Sequence, residues 1–131
     1  MAATTSGQNT VPRPRPNFKQ TTTDKTDDFT VLASAAAGTG LLYTNTGAAK
    51  TIVFTLPTAE SMAGSVIGFK VMAAQIVKCL PVTGEKIFLH GDGVATKYLN
   101  VAAVIGNYVE LYSDGVDWTV EHAVGVVTKE A

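Results

Sequence analysis

Cysteine is almost missing from this chain. Cys79 is the only one in 131 residues, so no intrachain disulfide can form and a small disulfide-stapled scaffold is excluded. Cys79 lies in an apolar run, which predicts a buried, inert thiol and suits a reducing interior. Histidine is nearly as scarce: His90 and His122 are the only two, and no His/Cys/Asp grouping has the spacing of a zinc site, so no metal is expected. Charged residues make up 16% of the chain against about 25% in an average soluble protein. A surface this thinly charged belongs to a domain that oligomerises or spends its life docked on a larger body. No apolar run approaches the ~18 residues needed to span a bilayer, and no N-terminal stretch has signal-peptide form. The expectation is a soluble chain made in the cytoplasm, with no membrane partner. A formal net charge of −1 gives no electrostatic footprint for nucleic acid.

What is present divides at about residue 29. Residues 1–28 are mostly Thr, Ser, Gln, Asn, Pro, Lys and Asp, with Val11 and Phe18 the only large apolar side chains after Met1. So little apolar area cannot offset roughly 1–2 kcal/mol of backbone entropy per residue. This segment is therefore expected to be an extended N-terminal arm, ordered only by a surface outside the domain. Pro12, Pro14 and Pro16 alternate with Arg13 and Arg15. Proline at every second position fixes φ and favours a semi-rigid ribbon that spans about 3.1 Å per residue. Residues 1–23 carry Arg13, Arg15 and Lys19 without an acid, while the remainder holds seven bases against eleven acids. A cationic arm thus precedes an anionic body. Three charges are too few for a nucleic-acid tail, which leaves docking on an acidic protein surface, with Arg13, Arg15, Phe18 and Lys19 as candidate anchors. The plainer reading is a spacer with incidental charges. Residues 21–28 read as polar linker.

Residues 29–131 read as one domain of short strands. The clearest is Thr51 to Leu56, where Ile52, Phe54 and Leu56 alternate with Thr51, Val53 and Thr55, the two-residue period of a half-buried strand. Ile67, Phe69 and Val71 share one face of the next run, and residues 75–80 also read as sheet interior. Thr58 is placed to cap a single helical turn before Gly64. Tyr108 to Ser113 alternates, Asp114 and Gly115 make a turn, and Asp117 to Glu121 returns with Trp118 and Val120 on one face. Further segments at residues 29–32, 41–44, 86–89 and 97–101 bring the total to about eight. With no convincing amphipathic helix, this predicts an all-β domain: a small sandwich or jelly-roll-like barrel. Residues 124–127 read either as a last edge strand or as a loose tail.

Catalytic constellations are nearly absent, and the chain is not read as an enzyme. His90 and Asp92 flank Gly91 in a loop that superficially invites a catalytic or calcium reading, but Asp-Gly is ordinary turn chemistry. Asp114 and Asp117 flank a hairpin turn, where acids solvate the loop and discourage edge pairing. No serine stands in a nucleophile elbow and no glycine run matches a phosphate loop. Trp118 is expected to pack inside. Tyr108 and Tyr112 are expected to look outward with Glu110, where they are candidates for a subunit or ligand contact.

Four segments together resemble a known module: residues 41–48 (LLYTNTGA), 52–57 (IVFTLP), 106–111 (GNYVEL) and 115–120 (GVDWTV). They are similar to a β-rich module of tailed-bacteriophage structural proteins, the small capsid decoration or cement proteins and the distal domains of fibres. The resemblance covers roughly residues 41–121 and leaves the arm unmatched. It implies a compact β domain that commonly trimerises on a virion surface, with no catalytic residues and no cofactor. Fibres have a long repetitive or coiled shaft, which this chain lacks, so the resemblance is nearer to cement. The expected partners are then the major capsid protein and further copies of the chain in a homotrimer, with Pro12, Arg13, Pro14, Arg15, Pro16, Phe18 and Lys19 contacting the capsid. The alternative is a trimeric receptor- or glycan-binding head-fibre or tail-spike domain, with loops such as residues 89–95 facing the host.

Overall fold

A strand that is apolar on one face only must lay that face against a second layer. The computed structural model of this chain describes residues 20–33, 40–89 and 97–130. Pro12 to Pro16, Phe18, Lys19 and the His90 to Gly93 loop lie outside the described residues.

Eleven strands are found among the described residues: β1 (Gln20–Asp24), β2 (Phe29–Thr30), β3 (Gly40–Thr44), β4 (Ile52–Thr55), β5 (Val66–Lys70), β6 (Val77–Leu80), β7 (Ile87–Phe88), β8 (Leu99–Val101), β9 (Tyr108–Ser113), β10 (Trp118–Val124) and β11 (Val127–Lys129). They form a six-stranded sheet in the order β1-β3-β5-β9-β10-β7 and a five-stranded sheet in the order β11-β8-β6-β4-β2. The expected all-β sandwich is what forms, with more strands than the eight read from the sequence.

Successive strands from β1 to β9 alternate between the two sheets. Consequently β1, β3 and β5 pair in parallel, as do β2, β4 and β6. Parallel neighbours need a long return connection, and here each return passes through the opposite sheet, winding the chain into a flattened coil. Antiparallel pairing enters where β8 meets β6 and β9 meets β5. The β9–β10 hairpin read from the sequence is present, with an irregularity between Glu110 and Leu111.

Winding brings like residues into register across each sheet. Leu41 and Tyr43 stand beside Ile67 and Phe69, and Ile52 and Phe54 beside Val77 and Cys79, all of them buried. Tyr43, Phe54 and Phe69 form a closed aromatic group with centroid separations of 5.5, 5.8 and 5.1 Å, the offset and tilted geometries that aromatic pairs prefer. Phe29 joins this group through Tyr43 at 5.7 Å. Trp118 lies inside, as expected. The single helical turn is a 3-10 turn at Glu60–Met62; Thr58 Oγ1 accepts a long bond from Ser61 N at 3.4 Å, while Ala59 N donates to the Glu85 carboxylate at 3.0 Å.

Residues 20–28, read from the sequence as arm and linker, are instead part of the sandwich. β1 is the outermost strand of the six-stranded sheet, paired with β3 from Gln20↔Gly40 to Asp24↔Thr44. An edge strand draws on the backbone ladder and on β-branched threonines rather than on buried apolar area, so QTTTD carries no apolar signature. The turn after it is pinned as well. Lys25 N donates to Thr44 O at 2.9 Å, Lys25 Nζ sits 3.9 Å from the Phe29 ring centre, and Asp28 Oδ1 accepts from Val53 N at 2.9 Å.

Burial alone pushes the Cys79 thiol well above its ordinary range. Since the thiolate is the reacting species, native protein should leave a thiol reagent such as DTNB unreacted for hours. Unfolding should then release one thiol per chain; rapid native labelling would contradict the buried placement.

Candidate functional site

The sequence directed attention to the outer face of β9. The structure places Tyr108, Glu110 and Tyr112 there together, alternating with buried Val109, Leu111 and Ser113. Tyr108 is engaged within its own sheet: its hydroxyl donates to Glu110 Oε2 at 2.7 Å. Its ring lies over Gly68, where an added Cβ would stand 2.7 Å from the hydroxyl oxygen. Burial, and then the Glu110 contact, holds the phenol's proton well above the ordinary range. Such a tyrosine is a neutral hydrogen-bond donor with its donor already used. Tyr112 is half-buried beside Thr119 of β10.

A larger feature lies at one end of the sandwich. The ladders place Lys70, Tyr108 and Val124 side by side at that end of the six-stranded sheet. The turns that follow or precede them meet there: Val71 N donates to Asn107 O at 2.8 Å, Gly106 N to Val71 O at 2.8 Å, and Ala102 N to Val126 O at 3.0 Å. The start of β6 joins the same end, because Val77 pairs with Val101. Three connections therefore converge: residues 71–76, 102–107 and 124–126.

These connections carry Met72, Ile76, Val104, Ile105, Val124 and Val126, which are between 36% and 62% exposed. Six of the eight large exposed apolar side chains among the described residues gather at this one end. The other two, Leu32 and Val116, lie at the opposite end. No charged residue occurs in residues 71–77, 101–109 or 123–128; Lys70 and Asp24 stand in the strand row beside them.

Two buried asparagines hold these turns. Asn45 is fully buried. Its Oδ1 accepts from Met72 N at 2.7 Å and Ala73 N at 2.9 Å, and its Nδ2 donates to Ala73 O at 3.1 Å and Gln75 O at 3.3 Å. All four of its amide's bonding positions are used. Asn107 Nδ2 donates to Ala102 O at 3.2 Å, and its amide fills the space against Gly125, where a Cβ would fall 2.0 Å from Asn107 Oδ1. Gly125 also has φ +83°, a region other residues rarely adopt. An open groove of about 500 Å³ continues from this end, between Leu89, residues 120–123, Gly125 and Val127.

The candidate sites on the arm and on the His90 to Gly93 loop are outside the described residues. Among the described residues no group of three or more His, Cys, Asp or Glu could hold a metal ion, and no helix is long and apolar enough to cross a membrane. Asp114 does turn work: its Oδ1 accepts from Val116 N and Asp117 N, each at 2.8 Å, and these donors hold its carboxyl below the usual range. Asp117 Oδ1 accepts from Lys86 N at 3.0 Å.

No protein-family model matches this chain, and no curated protein matches it as a relative. What the geometry itself offers is an apolar, pre-shaped contact surface.

Proposed function

We propose that this chain is a structural protein of a bacteriophage particle, a decoration protein that stabilises a capsid by bridging neighbouring subunits through its β domain and its N-terminal arm. The observation that carries the reading is the apolar end just described. A monomer seldom leaves a concentrated apolar surface on fixed turns unless something covers it. The phage assignment itself rests on the resemblance across residues 41–121 and on the alternating Pro and Arg residues ahead of β1. In this reading each bound copy adds contact area across a subunit boundary. Several weak contacts on one particle then combine into strong retention.

Since β1 belongs to the sandwich, the informative truncation removes residues 1–19 and keeps Gln20. The truncated protein should unfold at the temperature of the full chain, yet be lost from heated capsids that retain the full chain. Equal retention of both forms would refute the arm's role, and failure of the full chain to bind capsids at all would refute the virion assignment.

A further inference from the structure

We infer that the Asp114-Gly115 peptide is a latent isoaspartate site which the β9–β10 turn holds closed through Ser113, so that this rearrangement marks chains whose hairpin has opened. Asp-Gly is the dipeptide in which the chemistry is easiest, because glycine sets no side chain in the way of its own nitrogen. The chain contains two, Asp92-Gly93 and Asp114-Gly115, and the first lies outside the described residues.

The reaction needs water alone. The Gly115 nitrogen gives up its proton and attacks Asp114 Cγ; the N–Cγ bond forms, a Cγ–O bond breaks, and the oxygen leaves as water, closing a five-membered imide. Water then adds to one of the two carbonyls. Opening at Cγ restores aspartate, whereas opening at the main-chain carbonyl breaks the original peptide C–N bond and leaves the chain running through Cβ and Cγ. Ring closure has two requirements. The carboxyl must be protonated for its oxygen to depart as water, and the Gly115 nitrogen must be free to turn onto Cγ.

The turn opposes both. Asp114 Oδ1 accepts from Asp117 N and Val116 N at 2.8 Å each, and donors to a carboxylate favour its charged form. Gly115 N donates to Ser113 Oγ at 3.2 Å, and that hydroxyl is fixed in turn by donating to Ala59 O. Ser113 is fully buried. Its backbone is held on the other side, since Gly64 N donates to Ser113 O at 2.8 Å and Ser113 N to Ser65 O at 3.1 Å. Asp114 itself is exposed, and Val116 is 71% exposed, so water reaches the site freely and the restraint comes from hydrogen bonds rather than from burial. Ser113 is thus a positioning residue for the turn.

Opening of the hairpin releases both restraints together, and the product cannot close as before. Its carboxylate sits directly on Cα, and an additional methylene separates residues 114 and 115 along the chain. The bonds that depend on the spacing of this turn are Asp114 N to Asp117 O at 3.1 Å, Lys86 N to Asp117 Oδ1 at 3.0 Å and Trp118 N to Lys86 O at 2.9 Å. The last two hold the start of β7 against β10. Rearrangement therefore leaves a lasting covalent record of opening at this end of the sandwich. The inference concerns the free chain and does not depend on the virion reading.

The full chain is incubated in oxygen-18 water with and without urea, digested with trypsin in ordinary water, and the peptides 87–97 and 98–129 are analysed by mass spectrometry. Each passage through the imide places one heavy oxygen at Asp114, which fragment ions locate. Uptake at Asp114 should be at least about tenfold slower in the native chain than in urea, a factor of the size that a few modest hydrogen bonds supply. In urea, Asp92 and Asp114 should take up label at like rates, which sets the intrinsic speed. Ser113→Ala should raise the native rate at Asp114 several-fold. Ser113→Thr, which keeps the hydroxyl, and Phe54→Leu, which weakens the core away from the turn, should both keep the wild-type rate; circular dichroism establishes that each variant is folded. Native uptake as fast as in urea would overturn the inference. An unchanged rate in folded Ser113→Ala, or an equal rise in Phe54→Leu, would take the restraint from Ser113 and give it to global stability. Should Ser113→Ala fail to fold, the wild-type comparison and the Phe54→Leu rate still decide whether the turn closes the site.

Discussion

Replacing Phe54 by alanine should lower the stability of the folded chain by about 4 kcal/mol, measured as a fall in the urea midpoint with little change in slope. Phe54 is fully buried at the centre of the sandwich. It touches Tyr43 and Phe69 of the opposite sheet at centroid separations of 5.5 and 5.1 Å, and its neighbours in its own sheet are Phe29 and Cys79. Truncation removes the ring's transfer free energy and leaves a cavity between two sheets that are each held by their own ladders and cannot close over it. With total stability of roughly 5–15 kcal/mol for a domain of this size, a loss of this kind consumes a large fraction. Phe54→Leu keeps most of the volume and should cost about 1.5 kcal/mol. If alanine cost no more than leucine, the aromatic group would not be the centre of the core.

The same residue shows what was legible in the sequence. Strand β4 could be read directly, because Ile52, Phe54 and Leu56 alternate with Val53 and Thr55 and only one face is covered. The β9–β10 hairpin was equally plain, since Asp114 and Gly115 mark the turn between two alternating runs. Strand pairing was not legible. Alternation reports which face is buried and says nothing about the direction of the neighbour, so the parallel coil of β1 to β6 has no signature in periodicity. β1 was hidden for a related reason: an edge strand of threonines is held by backbone groups that every residue carries.

The apolar end was concealed by its composition. Residues 71–76, 102–106 and 124–126 are rich in Val, Ile, Met and Ala; the first read as sheet interior, the last as an edge strand or a loose tail, and 102–106 as no element, whereas the structure makes 71–76, 102–107 and 125–126 connections. A turn sequence with no Asp, Lys or Ser to solvate it contradicts the ordinary chemistry of exposed connections, and three such turns in one chain were the available signal. Gly106 and Gly125, both at positive φ, lie among these residues and mark chain reversal rather than strand.

Asn45→Ala should cost about 3 kcal/mol and should act on that end in particular. Asn45 is fully buried, and its side chain is the partner of four backbone groups between Met72 and Gln75. Alanine leaves two N–H donors and two carbonyl acceptors to find water or go unpaired, at roughly 1–3 kcal/mol for each group that stays buried. Asn45→Asp is the sharper test, because an ionised carboxylate keeps the bonds from Met72 N and Ala73 N but faces Ala73 O and Gln75 O with no proton to donate. The folded state then favours the protonated acid, so the new carboxyl titrates above its unfolded value near 3.9. By linkage, the variant's stability relative to wild type is greatest below that value and declines as pH rises through the folded pKa. Urea unfolding at pH 4 and pH 7 should thus show the deficit of Asn45→Asp growing with pH, while that of Asn45→Ala stays constant. A pH-independent aspartate deficit would mean that the Asn45 Nδ2 bonds to Ala73 O and Gln75 O contribute nothing to holding this end.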